Sequence, residues 1–467
     1  MADRHTTTTR RGFLGAASAL AAGAAQASER PNILYIMTDQ QHSGMMSCTG
    51  NPWVNTPAMD SIVASGTRFE LAYSGNPVCV PARTSMMTGR FPSHFGIRSN
   101  NVRELPRDVL PAALGHTMRA AGYRTAFGGK THWPKPMTAE SIGFEYLTAD
   151  ERDALAGECA TFLKQKHDKP FFLVASFINP HDICYMAIDA FTKGSNLPAM
   201  YPKSIVERER VAAATKLFAG LDKCPPLPAN HGHTDLDPGA FSRLTGFRKY
   251  VREKWGAEEW RLHRWVYARL TEEVDAQIGR VLAALRETGL DRNTVIIFSS
   301  DHGDMDSAHG FEHKSLPYEE SARVPFVISW PGHVPANRID RKHLVGSTID
   351  LYPTICDFAG AKAPEGLPGR SLRPIAEKGS APGWREDLVI ECGDSRTLRS
   401  ARYKYSLWEG PGVTETLFDM TKDAGEMKNL AKDAAAANVL AGHRQRLRQH
   451  IETRVDEYGR SLLTQQS

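Results

Sequence analysis

The stretch Asn76-Pro-Val-Cys-Val-Pro-Ala-Arg-Thr-Ser-Met-Met-Thr-Gly-Arg90 holds a cysteine, a proline two residues on and an arginine two beyond that. Pro81 imposes a non-helical turn before it and can stand in the first turn of a helix after it. Cys79 is then expected at or just before a helix N-terminus, where free N–H groups and the helix dipole favour an anion. Arg83, one turn further on, can reach back toward it. A bare C-x-P-x-R pentapeptide is short and by itself also fits a buried cysteine in a turn. Two further pairs carry metal-type ligands, Asp39-Gln40 and Asp301-His302. Two carboxylates, an amide oxygen and an imidazole suit a divalent cation, Ca2+ first, with Mg2+ or Mn2+ also compatible.

The elements around these residues say where they sit. Asn32 to Asp39, Phe171 to Asn179, Thr294 to Asp301 and Val324 to Trp330 are short, continuously apolar runs, the pattern of strands buried on both faces of a parallel sheet. Helical segments separate them: Leu110 to Ala121, Glu151 to Lys166 and about Leu262 to Glu287. Alternating strands and helices give an α/β domain. Ligands of open α/β sheets bind at the carboxyl ends of strands. Asp39, His181 and Asp301 all fall at or just after such ends, which places them in one site. Residues 186–260 differ: Pro/Gly clusters, His231, His233, Trp255 and Trp260 read as an insertion over the sheet end that shapes a cleft. Ser347 to Ala359 reads as a helix, and Pro/Gly-rich Ala363 to Gly383 as a linker. Beyond lie strand candidates at Asp387 to Glu391 and Tyr403 to Trp408, then an amphipathic helix from about Ala434 to Tyr458.

At 467 residues the chain is too long for one ordinary core and fits a large domain plus a smaller one. A net charge of +4 is too balanced to argue for nucleic acid or a membrane surface. Thr9-Arg10-Arg11-Gly12-Phe13-Leu14 is a twin-arginine pattern, followed by an Ala/Gly-rich run and the Ala25-Gln26-Ala27 cleavage type. The expectation is a signal peptide over 1–27 and a periplasmic or secreted protein without a membrane anchor. Seven cysteines at no staple-like spacing suggest mostly free, buried thiols with at most one disulfide.

The Cys79–Arg83 motif with its Thr88-Gly89-Arg90 tail resembles the signature of the type I sulfatases in the alkaline-phosphatase-like superfamily. Gly122-Tyr-Arg-Thr-Ala-Phe-Gly-Gly-Lys-Thr-His132 resembles the family's second signature, and Leu417 to Ala431 its late turn with Ala424 in place of a proline. Ala82 replaces the family's frequent serine, and Gln40 an acid. The resemblance spans nearly the whole chain after the signal. It implies an alkaline-phosphatase-like catalytic domain over 28–375, with a mostly parallel mixed sheet between helices and the 186–260 insertion, and a small α+β subdomain over 376–467.

By resemblance, a formylglycine-generating enzyme oxidises Cys79 to Cα-formylglycine, whose hydrate is the nucleophile. One divalent cation is held by Asp39, Gln40, residue 79, Asp301 and His302. Arg83 stabilises the diol, Lys130 contacts the sulfuryl oxygens, and His132 takes the proton when sulfate is expelled. His181 is the general acid, since a histidine titrates near neutrality, and Lys314 holds the bridging oxygen. His309 and His313 either join the site or only shape the Gly310 turn; Glu319 to Pro325 reads as structural. The expected activity is sulfuric ester hydrolysis on a sulfated small molecule or glycan. A phosphonate monoester hydrolase or phosphodiesterase of the same fold, and a glycan binder with unconverted Cys79, are the other readings.

Overall fold

A computed structural model describes residues 30–101, 104–232, 238, 241 and 244–465. The expected signal at 1–27, together with His233 and Gly239, lies outside them. In chain order the strands are β1 (Asn32–Asp39), β2 (Gly66–Phe69), β3 (Ala72–Tyr73), β4 (Arg124–Gly129), β5 (Glu145–Thr148), β6 (Phe171–Pro180), β7 (Thr294–Ser300), β8 (Phe326–Ser329), β9 (Arg338–Asp340), β10 (Val345–Gly346), β11 (Asp387–Glu391), β12 (Ser395–Ser400), β13 (Tyr403–Trp408) and β14 (Glu415–Asp419). The helices are α1 (Pro57–Ala64), α2 (Cys79–Thr88), α3 (Leu114–Ala120), α4 (Leu155–Leu163), α5 (Cys184–Gly194), α6 (Ile205–Lys216), α7 (Gly246–Lys254), α8 (Ala257–Glu287), α9 (Glu319–Ala322), α10 (Leu351–Ala359), α11 (Arg373–Lys378), α12 (Ala437–Arg454) and α13 (Glu457–Thr464).

The large sheet runs β5-β4-β6-β1-β7-β8-β2-β9. β1 pairs in parallel with β6 on one side and β7 on the other. Pairing turns antiparallel only at β8, against both β7 and β2. The continuous apolarity of β1 has a direct cause. Ile33, Tyr35 and Met37 enter a core with residues of α2, α3 and α10 on one face, while Leu34 and Ile36 enter a second core with α1, α4 and α8 on the other. Both faces are covered, so alternation has no use.

The described helices start or stop where local chemistry intervenes. The run expected at Leu110 to Ala121 breaks, because Pro111 sits in a short 3-10 turn and Ala113 is extended before α3. α4 begins late, at Leu155, because the Asp150 carboxylate caps the Arg152 and Asp153 amides in a turn. The segment expected as a linker holds α11, whose Ile375 and Ala376, with Leu372 just before it, complete the large-domain core. β11 to β14 form a separate antiparallel sheet in sequence order, packed with α12 and α13 around their own core. All seven cysteines are free, and all but Cys48 are buried.

Candidate active site

Cys79 is the first residue of α2, preceded by extended Val78, with Pro81 in the first turn where no N–H is needed. Every residue of this helix is buried. Its start is secured by Asn100, whose Oδ1 accepts from the Val80 amide at 3.1 Å. β1, β6 and β7 are neighbours, so Asp39, His181 and Asp301 emerge side by side beside it.

Arg83 ties the ends together. Its Nε donates to Asp301 Oδ2 at 2.7 Å, one Nη to Asp39 Oδ2 at 2.9 Å, and the other to the Lys130 carbonyl and Ser176 Oγ at 2.7 and 2.9 Å. Lys130 Nζ lies 2.7 Å from the same Asp39 oxygen. With the Oδ2 atoms held by cations, the Oδ1 atoms face inward. Asp39 Oδ1 is 3.7 Å from both Cys79 Sγ and His302 Nε2, and Asp301 Oδ1 is 3.6 Å from that nitrogen. His302 Nε2 lies 3.1 Å from Cys79 Sγ, and its Nδ1 is 2.8 Å from the Gly303 carbonyl, which orients the ring. Lys314 Nζ closes the group, 3.3 Å from Cys79 Sγ and 2.6 Å from Gln40 Oε1.

Ligand atoms of Asp39, Cys79, Asp301 and His302 all lie within 4.8 Å of one another. Ligands around a single Ca2+ stand at most about 5 Å apart, twice the usual metal–oxygen distance. The donor set and its spread therefore fit one divalent cation, with Gln40 Oε1 adjoining.

The field of the site is strongly perturbed. Burial would raise the Asp39 carboxyl, but Lys130, His181, Arg83 and Lys314 hold it well below the carboxylate range. Asp301 moves the other way, to about 6, through burial and the charge of Asp39. Burial and Asp39 would keep Cys79 protonated; Lys314, Lys130 and His302 overcome them and hold the thiol well below its ordinary range. His181 is pushed down to about 3 by burial and the adjacent Lys130 and Lys314, so it rests neutral.

Asp39, Gln40, Cys79, Arg83, Lys130, His181, Asp301, His302 and Lys314 thus meet in one cluster. His132 does not join by contact: it is exposed, with φ at 44°, and makes no hydrogen bond among the described residues. His309 stacks on Tyr318 at 4.1 Å and serves packing. His313 is nearer the site, with Nδ1 2.9 Å from Glu312 and Nε2 3.7 Å from Cys184 Sγ.

The insertion reaches the site by α7, not through its tryptophans. Phe247 lies 5.2 Å from the His313 ring, and Arg248 donates to the Lys314 carbonyl at 3.1 Å. Trp255 and Trp260 instead pack in a small core with Ala187 and Val251. Three partners escaped the sequence reading. Arg152 grips Asp182 at 2.6 and 3.0 Å and so pins the turn carrying His181. Cys184 and Asp304 both bond Gln40, at 3.2 and 2.6 Å. Asp304 lies inside the Asp301-His-Gly-Asp stretch, the one signal that pointed to it.

The family model described as Sulfatase matches residues 31–361. The chain belongs to the sulfatase family. A second model, N-sulphoglucosamine sulphohydrolase, C-terminal, matches residues 307–453 of this sulfatase. Delta 4,5-hexuronate-2-O-sulfatase of Bacteroides thetaiotaomicron is 30% identical over 95% of this chain and 93% of its own. The solved structure of a 2-O GAG sulfatase superposes with a TM-score of 0.77 at 27% identity, covering 92% and 94% of the two chains. The phosphonate monoester hydrolase of Agrobacterium radiobacter shares the fold, with a TM-score of 0.68 at 24% identity over 91% and 96%. The sulfatase is thus an enzyme of sulfate ester hydrolysis on the alkaline-phosphatase-like fold, and the relatives named for their substrates act on carbohydrates.

Proposed function

We propose that this sulfatase releases inorganic sulfate from a sulfated carbohydrate, with a 2-O-sulfated uronate residue as the first substrate to test. The observation that carries the reading is the convergence of Cys79, two carboxylates, His302 and Lys314 at the ends of β1 and β7. The likeness to the hexuronate-2-O-sulfatase supports the substrate class.

Cys79, once converted to formylglycine, supplies a hydrated aldehyde as nucleophile. A bound divalent cation, Ca2+ first, supplies positive charge for the sulfuryl oxygens and is held by Asp39, Gln40, residue 79, Asp301 and His302. The chain's own cations do the rest of the positioning. Arg83 locks Asp39 and Asp301 in register, while Lys130 and Lys314 bracket residue 79 and receive the negative sulfate group. His181, held neutral first by burial and then by Lys130 and Lys314, serves as the general acid: the negative sulfate group offsets the two lysines and so favours the protonated imidazole that gives its proton to the departing sugar oxygen. His132, two residues after Lys130, takes the proton when sulfate leaves. The twin-arginine segment supports maturation by a formylglycine-generating enzyme in the cytoplasm and work in the periplasm.

The test has two parts. The mass of the tryptic peptide Phe69 to Arg83 from host-expressed enzyme reports an aldehyde or its hydrate at residue 79. Sulfate release is then compared on a 2-O-sulfated unsaturated uronate disaccharide, an aryl sulfate and an aryl phosphonate. Converted enzyme that cleaves the phosphonate and neither sulfate would replace this reading with the phosphonate hydrolase.

A further inference from the structure

A glutamine side chain can present either its oxygen or its nitrogen, and only the oxygen can accept from Lys314 or bind a cation. Gln40 has a backbone φ of 68° and a fully buried side chain, so its orientation is decided by its partners. Asp304, also fully buried, accepts from Gln40 Nε2 through Oδ2 at 2.6 Å. The carboxylate is itself held by two backbone donors: Asp306 N at 2.7 Å to Oδ1 and His313 N at 3.2 Å to Oδ2. With a backbone amide donating to each of its oxygens, the Asp304 carboxyl faces Gln40 as an acceptor, and so takes the Gln40 nitrogen in preference to the oxygen. On the opposite edge, Gln40 Oε1 accepts from Lys314 Nζ at 2.6 Å and from the Cys184 thiol at 3.2 Å.

We infer that Asp304 is a positioning residue that fixes the polarity of Gln40, so that Oε1 is always the atom turned toward Lys314 and the reacting centre. This rests on the reading of Gln40 as a ligand of the divalent cation. Outer partners of this kind typically tune metal affinity by about 10- to 100-fold.

The test is a double-mutant cycle on the mature enzyme, read as Ca2+ and Mn2+ affinity by titration calorimetry. Asp304→Ser keeps a short acceptor for the Asp306 amide but cannot reach Gln40. It should weaken both cations by about tenfold or more in the wild-type background, and should change nothing once Gln40→Ala has removed the ligand. Asp304→Asn, which keeps the shape and offers a donor as well as an acceptor, should lose less than Asp304→Ser and serves if the serine variant does not fold. Equal losses in both backgrounds would mean that Asp304 acts by charge alone, and no loss in the wild-type background would mean that it does not act; either overturns the inference. If Gln40→Ala itself leaves cation affinity unchanged, Gln40 is not a ligand, and that separate result withdraws the reading beneath.

Discussion

Two of the buried ion clusters among the described residues are built differently. At the junction of the large domain with the C-terminal sheet, Lys404 lies 3.1 Å from Glu319 Oε1 and 2.9 Å from Glu426 Oε1. Arg323 and the Tyr73 hydroxyl meet Glu319 Oε2, both at 3.1 Å, and the Glu319 amide donates to Glu426 Oε2 at 2.8 Å. All four carboxylate oxygens have a protein donor. In the active site, buried acids and bases leave Asp39 Oδ1, among the described residues, with only 3.7 Å contacts to a thiol and an imidazole. Both clusters shift pKa values strongly: Glu319 is pulled to about 2 despite burial, chiefly by Lys404. The perturbation therefore does not distinguish function from structure. The inward-facing, loosely engaged Asp39 Oδ1 does.

The contrast can be broken from either side. The largest effect should come from Cys79→Ala, which is expected to end sulfate release while circular dichroism shows a folded protein. Retained turnover would remove Cys79 from the chemistry. Next, His181→Ala should cost about 10²–10⁴ in turnover of alkyl sulfates, and far less with aryl sulfates whose leaving groups need no acid. Equal losses on the two substrate types would count against His181 as the acid. At the junction, Lys404→Met leaves Glu319 and Glu426 buried without their shared cation. Denaturant melts should show a loss of about 3–5 kcal/mol, with turnover per folded molecule unchanged. A loss of activity without a loss of stability would erase the distinction between the clusters. The smallest effect belongs to an exposed pair. Arg124 bonds Glu145 at 2.9–3.1 Å but the two are 33% and 46% exposed. Arg124→Ala should cost no more than about 1 kcal/mol, and less in high salt.

The catalytic strands were legible because burial on both faces writes itself as unbroken apolarity. β1 spans the residues expected, and β6 and β7 differ from expectation by one residue at their ends. The strand-end rule then brought Asp39, His181 and Asp301 together without any motif. β12 was not legible: Ser395–Ser400 reads as polar, yet it is wholly buried, because Arg396 finds a bidentate partner in Asp456. β4 was hidden by Gly128 and Gly129. A side chain at Gly129 would stand 2.1 Å from the Ser176 carbonyl, so the strand needs the residue that argues against strands. The link between Gln40 and Asp304 spans 264 residues, and no local pattern encodes a contact at that separation.

The burial of Cys79 carries a kinetic consequence. Its thiol is 0% exposed, and the sheet beneath it is complete on both sides of β1 only when β7, ending at Ser300, has been made. At about 5–20 residues per second, roughly ten to forty-five seconds of synthesis separate Cys79 from that strand. On the proposed reading, in which residue 79 is altered before it is buried, slower decoding between Cys79 and Ser300 lengthens this window and should raise the altered fraction.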